Sequence, residues 1–106
     1  MKESFSFEVI PDGCFTRLKI HNTKPVTPEY CEIMMILVSS AKLMIGSVLR
    51  TKVSFHSFSL ESNGLTIVIE DYTKYQEKNA TNVAKHLQRV YSVLMSRYGC
   101  RCGLKY

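Results

Sequence analysis

Apolar and polar residues alternate twice near the start of the chain. Phe5, Phe7 and Val9 interleave with Ser4, Ser6 and Glu8, and Thr16, Leu18 and Ile20 interleave with Arg17 and Lys19. A period of two is that of a half-buried strand, so these segments predict a hairpin around Pro11-Asp12-Gly13. From Tyr30 the pattern changes to near-continuous apolar residues, with Ile33-Met34-Met35-Ile36-Leu37-Val38 followed by Leu43-Met44-Ile45. The run approaches the length of a membrane span. Glu32, Lys42, Ser39, Ser40 and Ser47 interrupt it, and charges inside a span are costly. The reading is a core helix over residues 28–49, buried on nearly all sides, in a chain with no membrane partner. Thr27 is the expected N-cap, and Pro28 falls at the first helical position, where its missing N–H costs nothing.

The second half repeats the theme. Val53-Ser54-Phe55-His56 opens a third strand, and the apolar phase shifts between Phe55 and Phe58, which predicts a bulge. Ser62-Asn63-Gly64 follows, and Asn-Gly is a strong hairpin signal because both residues tolerate positive φ. Leu65, Ile67 and Ile69 alternate along a fourth strand, and the polar residues 71–79 read as a connecting loop. Val83, Leu87, Val90, Tyr91, Leu94 and Tyr98 share one face of a helix over 80–98. Lys85, Gln88, Arg89 and Arg97 cover its exposed side, and Gly99 stands where a helix terminator is expected. Residues 100–106 read as a last strand. The order β-β-α-β-β-α-β predicts an α+β, two-layer domain, with two helices packed on a mainly antiparallel sheet.

Composition narrows the class only a little. The chain has 106 residues, enough for one domain spanning 1–106. Its net charge of +5 suits an anionic partner such as RNA or a ribosome, and is also common in unrelated small proteins. The N-terminal residues lack an apolar signal core, so a cytoplasmic location with reduced thiols is expected. Cys14, Cys31, Cys100 and Cys102 have neither disulfide-framework nor zinc spacing, and His21, His56 and His86 are scattered, so no metal or cofactor is expected.

The candidate chemistry lies in two residues. His21 ends the second strand, and Cys31 follows ten residues later in or just past the first turn of the first helix. The positive end of a helix dipole favours a thiolate there, and a nearby imidazole is the base that activates such a nucleophile. The plainer alternative is that Cys31 is a small buried hydrophobe and His21 a surface residue.

With these elements in place, the layout resembles the ribosomal-processing cysteine protease (Prp) family. Leu18-Lys19-Ile20-His21-Asn22 is similar to the family's segment around its catalytic His, and Tyr30-Cys31-Glu32-Ile33 to that around its Cys. Glu61-Ser62-Asn63-Gly64-Leu65-Thr66-Ile67 resembles its hairpin, and residues 88–98 its C-terminal helix. The chain departs from the family pattern at Ile20 (Gly in the family), Pro28 (acidic) and Met35 (Ser), as a diverged member would. The resemblance implies a cysteine endopeptidase with His21 as base and Cys31 as nucleophile. It implies a substrate-covering loop including Asn22, Thr23 and Lys24. It also implies a ribosomal or phage virion protein precursor, trimmed at its N-terminal extension, as substrate, and a homodimeric assembly.

Two alternatives stay open. One is a non-catalytic, dimeric relative of the same fold. The other is an RNA- or ribosome-binding module using Arg17 and Lys19 or Lys85, Arg89 and Arg97, with Phe5, Phe7, Phe15 and Phe55 as a stacking platform. A solvated face and an aromatic core explain the same residues. Met34, Met35 and Met44 are expected to fill the core.

Overall fold

The structure is a computed structural model that describes residues 5–21, 28–47, 52–61 and 64–105, with the first three residues of one helix and the last nine of the other as backbone only. Its elements are β1 (Ser6–Asp12), β2 (Phe15–His21), α1 (Pro28–Ser47), β3 (Val53–Glu61), β4 (Gly64–Asp71) and α2 (Gln76–Lys105). The strands form one antiparallel sheet in the order β1-β2-β4-β3. β2 and β3 are therefore parallel, with β4 inserted between them, a split β-α-β arrangement. The fold is α+β in two layers. α1 packs over β3, α2 packs over β1 and β2, and the helices touch each other.

Strand alternation decides what each face buries. Thr16, Leu18 and Ile20 of β2 and Leu65, Ile67 and Ile69 of β4 are buried beneath the helices. From α1 come Ile33, Met34, Leu37, Val38, Ala41 and Ile45, and from α2 Ala80, Val83, Ala84, Leu87 and Tyr91. The opposite sheet face carries Glu8, Arg17, Lys19, His21 and Glu70 and has no helix over it among the described residues. Thr16 is the exception in the core layer, because its hydroxyl is fully buried with no hydrogen-bond partner among the described residues. A Val of the same shape removes that orphan. Thr16→Val is expected to raise stability by about 1 kcal/mol, read as a higher urea midpoint at unchanged slope. A lower midpoint would show that the hydroxyl is satisfied.

Several expectations are met in detail. The first hairpin turns at Gly13-Cys14 between the paired residues Asp12 and Phe15, with Gly13 at φ 66°. That is the two-residue turn in which glycine takes the first central position. The bulge falls at His56, where the β3–β4 register slips between Phe55 and Ser57.

Others are corrected. The last strand, predicted over 100–106, is absent: α2 continues through Gly99 to Lys105. Each of its two glycines, Gly99 and Gly103, costs only about 1 kcal/mol, which a helix already anchored by its buried stripe absorbs. At about 1.5 Å per residue, a helix of 30 residues also outruns strands of at most 9, so its end lies past the sheet. The polar stretch 71–79 is not one loop, since β4 ends at Asp71 and α2 begins at Gln76. Nor is α1 buried all round: Met35 and Leu43 are exposed, so Met35 is not core filler, whereas Met34 is and Met44 packs half-buried against the core. Thr27 lies outside the described residues. No described helix is long and apolar enough to cross a membrane.

Candidate functional site

α1 begins at the end of the sheet where β2 finishes with His21 and β4 starts with Gly64. Cys31 is the fourth residue of α1, a free, half-buried thiol. It lines a shallow groove with Glu32, Met35 and Ile36. The first residues of a helix have no carbonyl one turn back, so the amides of Glu29 and Tyr30 are donors not used inside the helix. Thiol and amide donors together are what an acyl-transfer site needs.

His21 is placed elsewhere. Its neighbour Ile20 points into the core, so His21 points to the opposite face of the sheet, away from the helices. There its Nε2 lies 3.4 Å from Glu8 Oε1, with about half of each side chain exposed. Among the described residues no hydrogen bond or ion pair joins His21 to Cys31. Strand alternation is the reason: a one-residue step along β2 moves a side chain to the other face. Asn22, Thr23 and Lys24 lie outside the described residues.

The flank of α1 that carries Cys31 is defined by a second contact. Cys31, Met35, Val38 and Lys42 are spaced i, i+4, i+7 and i+11, one stripe of a helix. Lys42 Nζ sits 5.2 Å above the Phe55 ring of β3. The Lys42 end of the stripe therefore faces β3, whose Phe58 and Leu60 are also partly exposed.

The aromatic stacking platform is not formed. Phe7 and Phe55 pack on the helix side, and Phe5 stacks on Tyr91 with centroids 5.2 Å apart. Phe15 remains on the open face, with His56 at 4.9 Å. Lys85 and Arg89 are on the exposed side of α2 as expected, and Arg97 is in its backbone-only portion. Among the described residues no cluster of His, Cys, Asp and Glu is arranged to hold a metal ion.

Two features at the far end of the sheet have no counterpart in the sequence reading. Asp71 is fully buried, and its carboxylate accepts from the Thr73 amide at 2.8 Å, the Thr73 hydroxyl at 2.6 Å and Asn79 Nδ2 at 3.0 Å. The spacing Asp-x-Thr before a helix is the signal that points to it, because Asp and Thr satisfy backbone amides at such entries. Beside it, the Tyr72 hydroxyl donates to Glu70, whose carboxylate holds the phenol pKa up at about 12 from 10.0. That corner ties β4 to the first hairpin and to α2, and the free Cys14 thiol also lies against the Tyr72 hydroxyl.

No protein-family model, no curated protein and no solved structure matches this chain.

Proposed function

We propose that the chain is a Cys–His peptidase of the type its layout resembles, with Cys31 as nucleophile. The observation that carries the reading is a half-buried thiol at the start of α1, open to a groove and near the unused helix-start amides of Glu29 and Tyr30. In this mechanism the Cys31 thiolate attacks a peptide carbonyl, the helix-start amides hold the oxyanion, and water hydrolyses the thioester. His21 takes the thiol proton and returns it to the leaving amine. To do so it must leave Glu8 and turn around the strand end toward α1. That contact does not forbid the move, since an exposed ion pair at this separation is worth about 1 kcal/mol or less. An N-terminal extension of a ribosomal or virion precursor as substrate, a cytoplasmic setting, ribosome association and a homodimer belong to the same proposal and rest on the resemblance alone.

A second reading, a non-catalytic binding module of this fold, is favoured by one observation. The His21 ring is engaged on the face away from α1. The deciding experiment exposes a mixture of unfolded proteins to the purified chain and reads new N-termini by mass spectrometry. New N-termini made by the wild type and lost in both Cys31→Ala and His21→Ala support the peptidase. Cleavage that survives Cys31→Ala, or none with the wild type, gives the binding module instead. In parallel, iodoacetamide at neutral pH is expected to label Cys31 faster than a free peptide thiol, and equal rates count against the thiolate.

A further inference from the structure

We propose that the outer edge of β3 is a docking rail for an extended peptide, which it carries as an added strand toward Cys31. This deepens the peptidase reading and rests on it for the identity of the occupant as substrate. The two edges of the sheet are built differently. β1 (SFEVIPD) carries Glu8, Pro11 and Asp12, the charges and proline that keep an edge from pairing. β3 (VSFHSFSLE) has no charge and no proline before Glu61, and its residues 56–61 are all exposed. Among the described residues no strand pairs with its outer side, which leaves a row of backbone donors and acceptors.

The direction of those groups follows from the hairpin. Glu61 pairs with Gly64 across two intervening residues, and the closing pair of a two-residue hairpin is hydrogen-bonded. Pairs alternate along an antiparallel ladder, so the amides and carbonyls of Leu60 and Phe58 point outward, away from β4. Their side chains lie on the helix side, partly exposed, next to the α1 stripe. The Lys42–Phe55 contact sets the phase. Eleven residues of helix from Lys42 back to Cys31 span about 16 Å, and five residues of strand from Phe55 to Leu60 span about the same. The Lys42 end of the stripe thus lies by Phe55 and Phe58, and the start of α1, with Cys31, lies toward the Glu61 end of β3. A strand added here would set alternate side chains on Phe58 and Leu60, and the others on Ser57 and Ser59. It would run toward the end of α1 that carries Cys31. The predicted ligand is an extended segment with apolar residues at every second position.

The bulge at His56 limits the rail to 57–61, the length of a short peptide. Two part-exposed apolar side chains fall well short of the roughly 1,200 Å² that a stable interface between copies buries. A peptide is accordingly the occupant we favour over a second copy.

The test uses a fluorescein-labelled synthetic peptide that alternates leucine with threonine, titrated into Cys31→Ala protein and read by anisotropy. N-methylation of alternate backbone amides should weaken binding about tenfold in one register and leave it unchanged in the other. Leu60→Pro should abolish binding while Leu60→Ala, which keeps the outward N–H, weakens it less, with both variants folded by circular dichroism. No binding, or equal sensitivity in both registers, overturns the rail. So does a Leu60→Pro variant that only converts a dimer to a monomer, which would give the edge to a second copy. The same peptide is then offered to the wild type. Register-sensitive binding without cleavage sinks the peptidase and keeps the rail, while cleavage indifferent to N-methylation does the reverse.

Discussion

Replacing Gly64 with Ala is expected to destabilise the protein by about 3 kcal/mol or more, because the added methyl has nowhere to go. A Cβ at Gly64 would stand 2.4 Å from the backbone oxygen of Ile20 and 3.6 Å from the Cα of His21. Those are backbone atoms of β2, hydrogen-bonded into the middle of the sheet, so no side chain can swing aside to relieve the clash. Strands β2 and β4 must separate locally, and the pairing of Gly64 with His21 goes first. For a chain of 106 residues this corresponds to a fall in melting temperature of about 15 °C. Gly46→Ala is the matched control. It lies exposed near the end of α1 with nothing within 4 Å of its added Cβ, and should stabilise by about 0.5–1 kcal/mol through helix propensity. If the Gly64 variant melts with the wild type, the close approach of β2 and β4 does not exist. Because Gly64 faces His21 across the ladder, the same substitution should also alter any activity that depends on that histidine.

Asp71→Ala should cost about 3–5 kcal/mol. Its carboxylate holds one backbone amide and two side chains at the entry to α2, and all three lose that carboxylate together, Asn79 Nδ2 keeping only the Thr73 hydroxyl at 3.3 Å. The backbone of Asp71 takes part as well, with its amide donating to the Cys14 carbonyl and its own carbonyl accepting from Gln76 Nε2. Those bonds join the first hairpin, β4 and α2 at one point, and the alanine variant keeps them. The loss measured is therefore that of the carboxylate. Urea unfolding with Thr73→Ala and the double variant separates the terms. The double variant should cost clearly less than the sum of the singles, since both act in one network. Additive costs would show that Asp71 is not the centre of the network.

These two positions also show what local pattern can and cannot report. Asn63-Gly64 was a strong turn signal, and a hairpin is there, yet Gly64 is the first residue of β4 and its φ is not left-handed. Its glycine character answers the approach of β2, a strand more than forty residues earlier in the chain, which no window around Gly64 contains. Asp71 sits in a polar stretch and reads as solvated, but the sheet and α2 close over it and the neighbouring Thr and Asn replace water. Met35 belongs to an unbroken apolar run, and only the one-sided packing of α1 on β3 and α2 leaves it outside.

The amino-acid order by itself determined the local periods: two in each strand, three to four in the second helix, the glycine turn at Gly13 and the slip of phase near His56. Each depends on residues a few positions apart, so burial of one face is written directly into the spacing. What only the tertiary structure decided was which distant segments meet. The insertion of β4 between β2 and β3, the turn of His21 to the face opposite the helices while Cys31 lies on the helix side, and the edge of β3 left unpaired among the described residues all follow from how faces are paired. A strand's alternation tells which side chains share a face, but which face is covered, and by what, is settled only when the whole chain is packed.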